Sequence, residues 1–501
     1  MVTRNRQDCS SVMRPRFLVR RLSILKIGLV ALTGIAAFFI ARSSLINSSL
    51  YYSLIVGGTI PAGVVLGIMV IVWFRTPVFA LYAALFVLLL PIGVIPPEIH
   101  SIFNRTLTIA AFVFWFFAAV THRSRMILTN TMLLMLAFLI WGSITLFWAD
   151  NLESGAAVLQ KNILRLLVFL LMIPSLVRSR EELNGLMKTI AINGWVLMII
   201  ACGIIFYTGY NPGTRFGTSD MGANGWGMLA VVTLLGVFWG TMQSSKQNRK
   251  PKRLMAAIFL TMTIALTALS GSRGSAISLF VTLLALCFWK QTRYWGKLGL
   301  FIIVGAAIIT PFVFTLTVDR FAGRTGETFL GGREDLWQTG WQIVQEHPLR
   351  GLGLGNSSFK VEKITGADWE LETKSVGTPI HNPVLVIWSE TGILGVILYL
   401  GVLISAVLSF VQQYLQSRSL GIWWMTEYFA LIGSVFLGYI ATWIKGGGAE
   451  SDFLYFLMLA LLLVPSALDL KKLSSLDNIE TEKIVWRMSG GNGGFGVKTR
   501  I

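Results

Sequence analysis

Residues 383–409 read PVLVIWSETGILGVILYLGVLISAVLS, a run in which Glu390 is the only charged side chain. About 20 predominantly apolar residues cross a bilayer core as a helix, so this stretch can span lipid with residues to spare. Lipid offers the peptide groups no hydrogen-bond partner, and a single segment satisfies its own only as a helix. A membrane barrel would instead alternate apolar and polar residues over about ten positions, and no such alternation occurs. The rest of the chain repeats the pattern. Apolar runs cover 24–41, 52–73, 78–96, 106–120, 131–148, 163–177, 186–207, 224–241, 254–270, 275–289, 298–317, 427–444 and 453–469. The expected fold class is all-α: a polytopic membrane protein with about fourteen transmembrane helices and one large extracytoplasmic loop.

Composition agrees. Of 501 residues, 54% are hydrophobic and 13% charged, whereas soluble domains carry about 25% charged residues. A net charge of +18 would suggest nucleic acid in a soluble protein, but here Lys and Arg cluster beside the apolar runs, as topology signals do. With the N-terminus cytoplasmic, the inner segments hold 27 Lys and Arg and the short outer loops 7, which favours N-in and C-in and an even number of spans. The Arg-rich start followed by an apolar run could be taken for a signal peptide. Small residues of a cleavage site do not follow it, so a retained first helix is expected. The three cysteines, Cys9, Cys202 and Cys287, suggest neither a disulfide framework nor a metal site. The expected organisation is a basic cytoplasmic tail at 1–23, eleven helices over 24–318, a large extracytoplasmic loop at 319–382, three helices over 383–469 and a cytoplasmic tail at 470–501.

The segment from Asp319 to Ile380 is too long for a linker and too polar for lipid; loops beyond about 12–15 residues are usually functional or disordered. Within it, Leu336, Trp337, Trp341, Ile343 and Val344 recur at helical spacing over Glu334 to Glu346. This amphipathic helix reads either as one lying on the outer membrane interface or as a small lid packed on the loop itself.

Polar groups without a topological reason are the informative ones in a membrane protein. Three spans that start on the outer side each follow a polar motif: Thr214-Arg215-Phe216-Gly217 with Asn224, Ser270-Gly271-Ser272-Arg273-Gly274, and His381-Asn382-Pro383. A helix N-terminus attracts anions, and Arg supplies a fork matched to phosphate oxygens; together they suggest a diphosphate pocket. Arg273 opposes the macrodipole of its own helix, which argues for a task beyond the helix; the blander reading is an arginine snorkelling to headgroups. Arg333 and Arg215 are further candidate phosphate ligands, the alternative being solvated loop charges. His381 is framed by Asn382 as N-cap and Pro383 at the first helical position. Its imidazole could accept a proton from a hydroxyl near neutral pH, or it could simply start the helix. Glu390, two turns into its run, is costly unless partnered, so structural pairing ranks ahead of catalysis. His100, His122 and His347 are scattered, no metal-ligand spacing appears, and no metal is expected. The sequence also lacks a nucleotide-binding G-x-x-x-x-G-K-[ST], a nucleophile elbow and H-E-x-x-H.

Gly332-Arg333, Trp337, the stretch Glu346-His347-Pro348-Leu349-Arg350-Gly351-Leu352-Gly353-Leu354-Gly355, His381-Asn382 and Ser389-Glu390-Thr391-Gly392-Ile393-Leu394-Gly395 together resemble the bacterial O-antigen ligase and O-antigen polymerase family. Ser270 to Gly274 is similar to that family's preceding arginine motif, and the likeness covers about residues 210–400. The resemblance implies a glycosyltransferase at the outer face of the cytoplasmic (inner) membrane that uses a saccharide on undecaprenyl diphosphate, with neither metal nor other cofactor. Its partners would be that lipid-linked glycan, a saccharide or lipid-linked acceptor, and membrane lipid, with no nucleic acid. Arg273 and Arg333 would bind the diphosphate, His381 would position or deprotonate the acceptor hydroxyl, and Asn382 and Glu390 would support the site. The anomeric carbon would be inverted. Fourteen spans exceed the twelve of the ligase branch, which leaves ligase and polymerase both open.

The competing class is a transporter of an anion or lipid-linked sugar. Transporters place polar groups near the midplane on broken helices, whereas ionisable residues inside the spans are few here, mainly Arg165, Lys188, Glu390 and Glu427. No inverted repeat is evident. That contrast favours the enzyme.

Overall fold

The computed structural model describes residues 72–73, 76–90, 97–121, 126–208, 216, 223–313, 334–365, 380–443, 453–468 and 470. The expected span 24–41, all but the end of 52–73, and the expected tails apart from Leu470 lie outside them. Among the described residues the structure is helical, with no strand. The helices are α1 (Val78–Leu88), α2 (Pro97–Val120), α3 (Asn130–Thr145), α4 (Leu152–Leu176), α5 (Arg180–Thr208), α6 (Ala223–Met242) and α7 (Lys246–Ser270). They continue with α8 (Arg273–Phe288), α9 (Arg293–Val313), α10 (Glu334–Glu346), α11 (Ser357–Thr365), α12 (Pro383–Ser419), α13 (Trp423–Trp443) and α14 (Phe453–Ala467).

Among the described residues seven helices are long and apolar enough to cross a membrane: α3 with its 3-10 extension to Trp148, α4, α5, α6, α7, α12 and α13. α1, residues 105–120 of α2, α8 and α14 are shorter apolar helices. Their surfaces divide as a bundle in lipid requires. Leu454 to Val464 of α14 are buried throughout, whereas α3 turns Leu133, Leu136, Ile140 and Ile144 outward, a row at helical spacing. Where helices approach closely, small residues let them: a side chain at Gly438 of α13 would sit 2.4 Å from the Ser278 carbonyl of α8. Glu427, one of the few ionisable residues inside a span, is partnered. The Gln243 amide donates to its carboxylate at 2.8 Å, and Arg180 donates to the same amide at 2.7 Å while lying over the rings of Trp423 and Trp424.

α10 and α11 stand apart from the main core and form a cap on the first turns of α12. Ile343, Val361, Ile380 and Val386 make its small core, with Leu336, Trp337, Leu352 and Leu385 against it. The apolar face of α10 is thus covered by protein, with Ile343 and Val344 exposed by only 0% and 2%. This corrects the interfacial reading in favour of the packed lid. The physical reason is that these side chains find their apolar partners within the same fold; Trp341 alone of that face stays half-exposed, edge-on to Trp388.

The span expected at 383–409 also differs. α12 has 37 residues, about 55 Å at ~1.5 Å per residue, well beyond a hydrocarbon core of about 30 Å. It breaks at Gly392, where φ 68° and ψ −172° are non-helical. Pro383 to Thr391 belongs to the cap. Below the break α12 joins the bundle, where Tyr399 stacks on Tyr455 and Trp443 at 5.1 and 6.2 Å.

A side chain at Gly392 would meet the Leu349 carbonyl at 2.0 Å in a backbone region open essentially to glycine alone. Gly392→Ala is therefore expected to lower the melting temperature of the purified protein strongly, by at least ~2 kcal/mol of stability. Gly305→Ala on α9, with nothing within 4 Å, should be neutral or stabilising by up to ~1 kcal/mol.

Candidate functional site

Two of the three polar motifs meet. Gly271 ends α7 in the left-handed conformation, φ 58°, and Ser272 caps α8 by accepting a hydrogen bond from the Ser275 N–H at 3.1 Å. Ser272 Oγ in turn donates to Asn224 Oδ1 at 2.6 Å, and Ser275 Oγ donates to the Asn224 carbonyl at 3.1 Å. A Cβ on Gly227 would lie 2.4 Å from Ser275, so only glycine lets α6 and α8 come this close. Their N-termini therefore stand side by side, and Arg273 is the first residue of one of them, half-buried. The N–H of Phe216 donates to the Leu269 carbonyl at 3.1 Å, and its ring packs on Trp226. Arg215 and Arg333 lie outside the described residues.

The third motif starts α12. Asn382 Oδ1 accepts from the N–H groups of Val384 and Leu385 at 3.1 and 3.2 Å, with Pro383 at the first helical position. Just before it, Ile380 is fully buried; it sits against Gly340 of α10, where a Cβ would be 2.9 Å from its side chain. His381, between these two anchors, has φ 55°, the only positive φ outside glycine among the described residues. Such a conformation costs of order 1–2 kcal/mol and persists only where the surroundings impose it.

Glu390 is 1% exposed. Its carboxylate accepts from the Gly355 N–H at 2.8 Å, the Ser357 N–H at 3.2 Å and Ser357 Oγ at 2.7 Å. A buried carboxylate is tolerable when such donors hold it, and these bonds give Glu390 the structural pairing expected of it. The loop it holds also reaches the bundle. Asn356 Oδ1 accepts from the Asn151 N–H at 2.7 Å, and its amide nitrogen donates to the carbonyls of Asn151 and Leu354. Ser154 Oγ donates to the Gly355 carbonyl, and the Leu354 N–H to Thr145 Oγ1. The sequence alone does not mark Thr145, Asn151 and Asn356, because a contact 205 residues apart leaves no local signal. A shallow cavity of about 200 Å³ opens at this seam, lined by Asp150, Asn151, Leu352, Asn356, Phe359 and Lys360.

The two groups share one end of the bundle. α13 runs antiparallel to α12 and ends there: Thr442 donates to the sulfur of Met228 in α6 at 3.6 Å, and Trp443 stacks on Tyr399 of α12. The N-termini of α6, α8 and α12 consequently face the same way. Among the described residues, no group of three or more His, Cys, Asp or Glu side chains converges.

Residues 256–400 match the family model described as O-antigen ligase. That part of the chain is similar to the O-antigen ligase family. The match runs from α7 through the Arg273 motif and the cap to the part of α12 below the break, so Arg273, Arg333, His381, Asn382 and Glu390 fall inside it and Arg215 outside. No curated protein matches the chain. That likeness and the apolar helices support an integral membrane protein, an enzyme of polysaccharide assembly with glycosyltransferase-like chemistry and a lipid-linked saccharide as partner.

Asn356→Ala removes all three bonds that its side chain makes, leaving buried partners unpaired at about 1–3 kcal/mol each. The expected result is faster amide exchange over residues 351–357, with exchange in α6 and α8 unchanged. Uniform acceleration in all three regions would show that the cap is not a separately held unit.

Proposed function

We propose that the chain is an inverting glycosyltransferase that ligates or polymerises undecaprenyl-diphosphate-linked saccharides for cell-surface polysaccharide at the outer face of the cytoplasmic membrane. In this reading it has about fourteen spans, with N-in and C-in topology and the loop at 319–382 outside. The observation that carries it is the frame around His381. A histidine held in a left-handed conformation between Ile380 and Asn382 stands at the same bundle end as the paired N-termini of α6 and α8, where Arg273 sits.

The acceptor hydroxyl oxygen attacks the anomeric carbon of the lipid-linked saccharide. The bond from that carbon to the phosphate oxygen breaks, and undecaprenyl diphosphate leaves. The hydroxyl proton passes to the imidazole of His381, acting as general base. Charge developing on the leaving diphosphate is met by Arg273, Arg333 and Arg215 and by the N–H groups of the helix ends, donors placed before the reaction begins. In-line displacement inverts the carbon, and the chemistry needs no metal. Asn382 holds the helix start, and Glu390 holds the loop on which the cap rests. The seam lined by Asp150, Asn151 and Lys360 offers an acceptor saccharide both charged and amide groups, with Phe359 as a ring to pack on. The part-buried network around Glu427 speaks against a transporter, since it lies one turn from the start of α13, at the opposite end of the bundle from His381.

Proteoliposomes with undecaprenyl-diphosphate oligosaccharide and candidate acceptors test the reading by glycan length and lipid release. His381→Ala and Arg273→Ala should each lower transfer at least ~100-fold. His381→Gly should lose activity equally while keeping its melting temperature, because relief of ~1–2 kcal/mol of left-handed strain offsets the entropic cost of glycine, about 0.5–1 kcal/mol. Transport of a solute or lipid without glycan transfer would replace the enzyme by a transporter.

A further inference from the structure

The bundle end away from His381 carries charge that the proposed chemistry does not use. Residues 246–253 of α7 read KQNRKPKR, and 289–297, from the end of α8 into α9, read WKQTRYWGK; neither holds an Asp or Glu. Lys250, Lys252, Arg253, Lys290, Arg293 and Lys297 are all exposed. The two segments meet in space: α7, α8 and α9 pack on one another, and the Arg253 guanidinium lies 5.6 Å from the centre of the Tyr294 ring. Among the described residues none of the six cations forms an ion pair. Arg180, near the same end, differs in having Gln243 and two Trp rings as partners.

From this basic edge the helices turn apolar. Leu254, Met255 and Ile258 on α7 and Phe301, Val304 and Ile308 on α9 are exposed. They repeat at three- and four-residue intervals and so form rows that continue downward from the cations. Topology alone asks for positive charge on a loop. It does not ask for six cations on two touching segments, each heading an outward apolar row. We infer that the α7–α9 face binds an anionic phospholipid, its phosphate among these cations and its acyl chains along the two rows. A soluble polyanion would use the charge and leave the rows unused, whereas a lipid uses both. Basic residues at such a surface each favour an anionic headgroup.

The test uses the full chain in detergent after delipidation. Binding and melting temperature are followed with cardiolipin, phosphatidylglycerol, phosphatidylcholine and inorganic pyrophosphate. The two anionic lipids should bind and raise the melting temperature; phosphatidylcholine and pyrophosphate should do neither. Combining Lys250→Gln, Lys290→Gln and Lys297→Gln should weaken anionic-lipid binding about a hundredfold. The unliganded melting temperature should not change, because these three side chains make no hydrogen bond or ion pair with a described residue. If the triple variant is not recovered folded, each single variant should weaken binding about fivefold. Equal binding of phosphatidylcholine, unaltered affinity in the variants, or displacement of the lipid by pyrophosphate or by nucleic acid would overturn the inference.

Discussion

The carbonyls of Ser389, Glu390 and Thr391 end the upper part of α12, and a helix end removed from bulk water must find donors for them. Three donors from elsewhere in the chain supply the need. The Leu352 and Gly353 N–H groups donate to Ser389 and Glu390 at 2.8 Å each, and Trp141 Nε1 donates to Thr391 at 2.8 Å. On the far side of the break the Ile393 N–H donates to Pro348 at 3.1 Å. The 348–353 loop therefore acts as the missing turn of the helix. Gly351, at φ 67° with the Glu390 carbonyl where a Cβ would be, lets the two backbones come within bonding distance.

The rest of the cap follows from that join. Once the loop lies along the break, Glu390 reaches Gly355 and Ser357 from beneath, and Asn356 meets the turn between α3 and α4. α10 then has a fixed surface to cover, and its burial of Ile380 fixes the residue before His381. The left-handed backbone of His381 is thus the last link in a chain of contacts that starts more than ten residues away in the helix break. Arg273 is held by a separate device, the serine and asparagine contacts between α6 and α8. Each group keeps its own support, and α13 packs against the helices of both.

Much of this was legible beforehand, for identifiable reasons. Apolar runs announce helices because lipid leaves the backbone no alternative, and the described helices other than α10 and α11 fall on the expected runs from 78–96 onward. Asn382 and Pro383 read correctly as a helix start because capping is local. α10 was visible from its periodicity, yet its environment was not, because a Trp-bearing apolar face suits lipid interface and protein core alike. The break at Gly392 was hidden within an unbroken apolar run, since a lone glycine in such a run is compatible with a continuous helix.

The sequence by itself determined that the chain is helical and built for lipid, where its helices run, and which polar residues stand at their starts. These depend on composition, spacing and caps, all local properties. Tertiary structure alone decided that one long run is two helices, that α10 is a lid, that Asn224 and Ser272 are bonded partners, and that Glu390 faces loop donors. Each of these turns on contacts between residues some 30 to 200 positions apart, and a backbone carbonyl or carboxylate carries no mark in the sequence of which distant N–H will satisfy it.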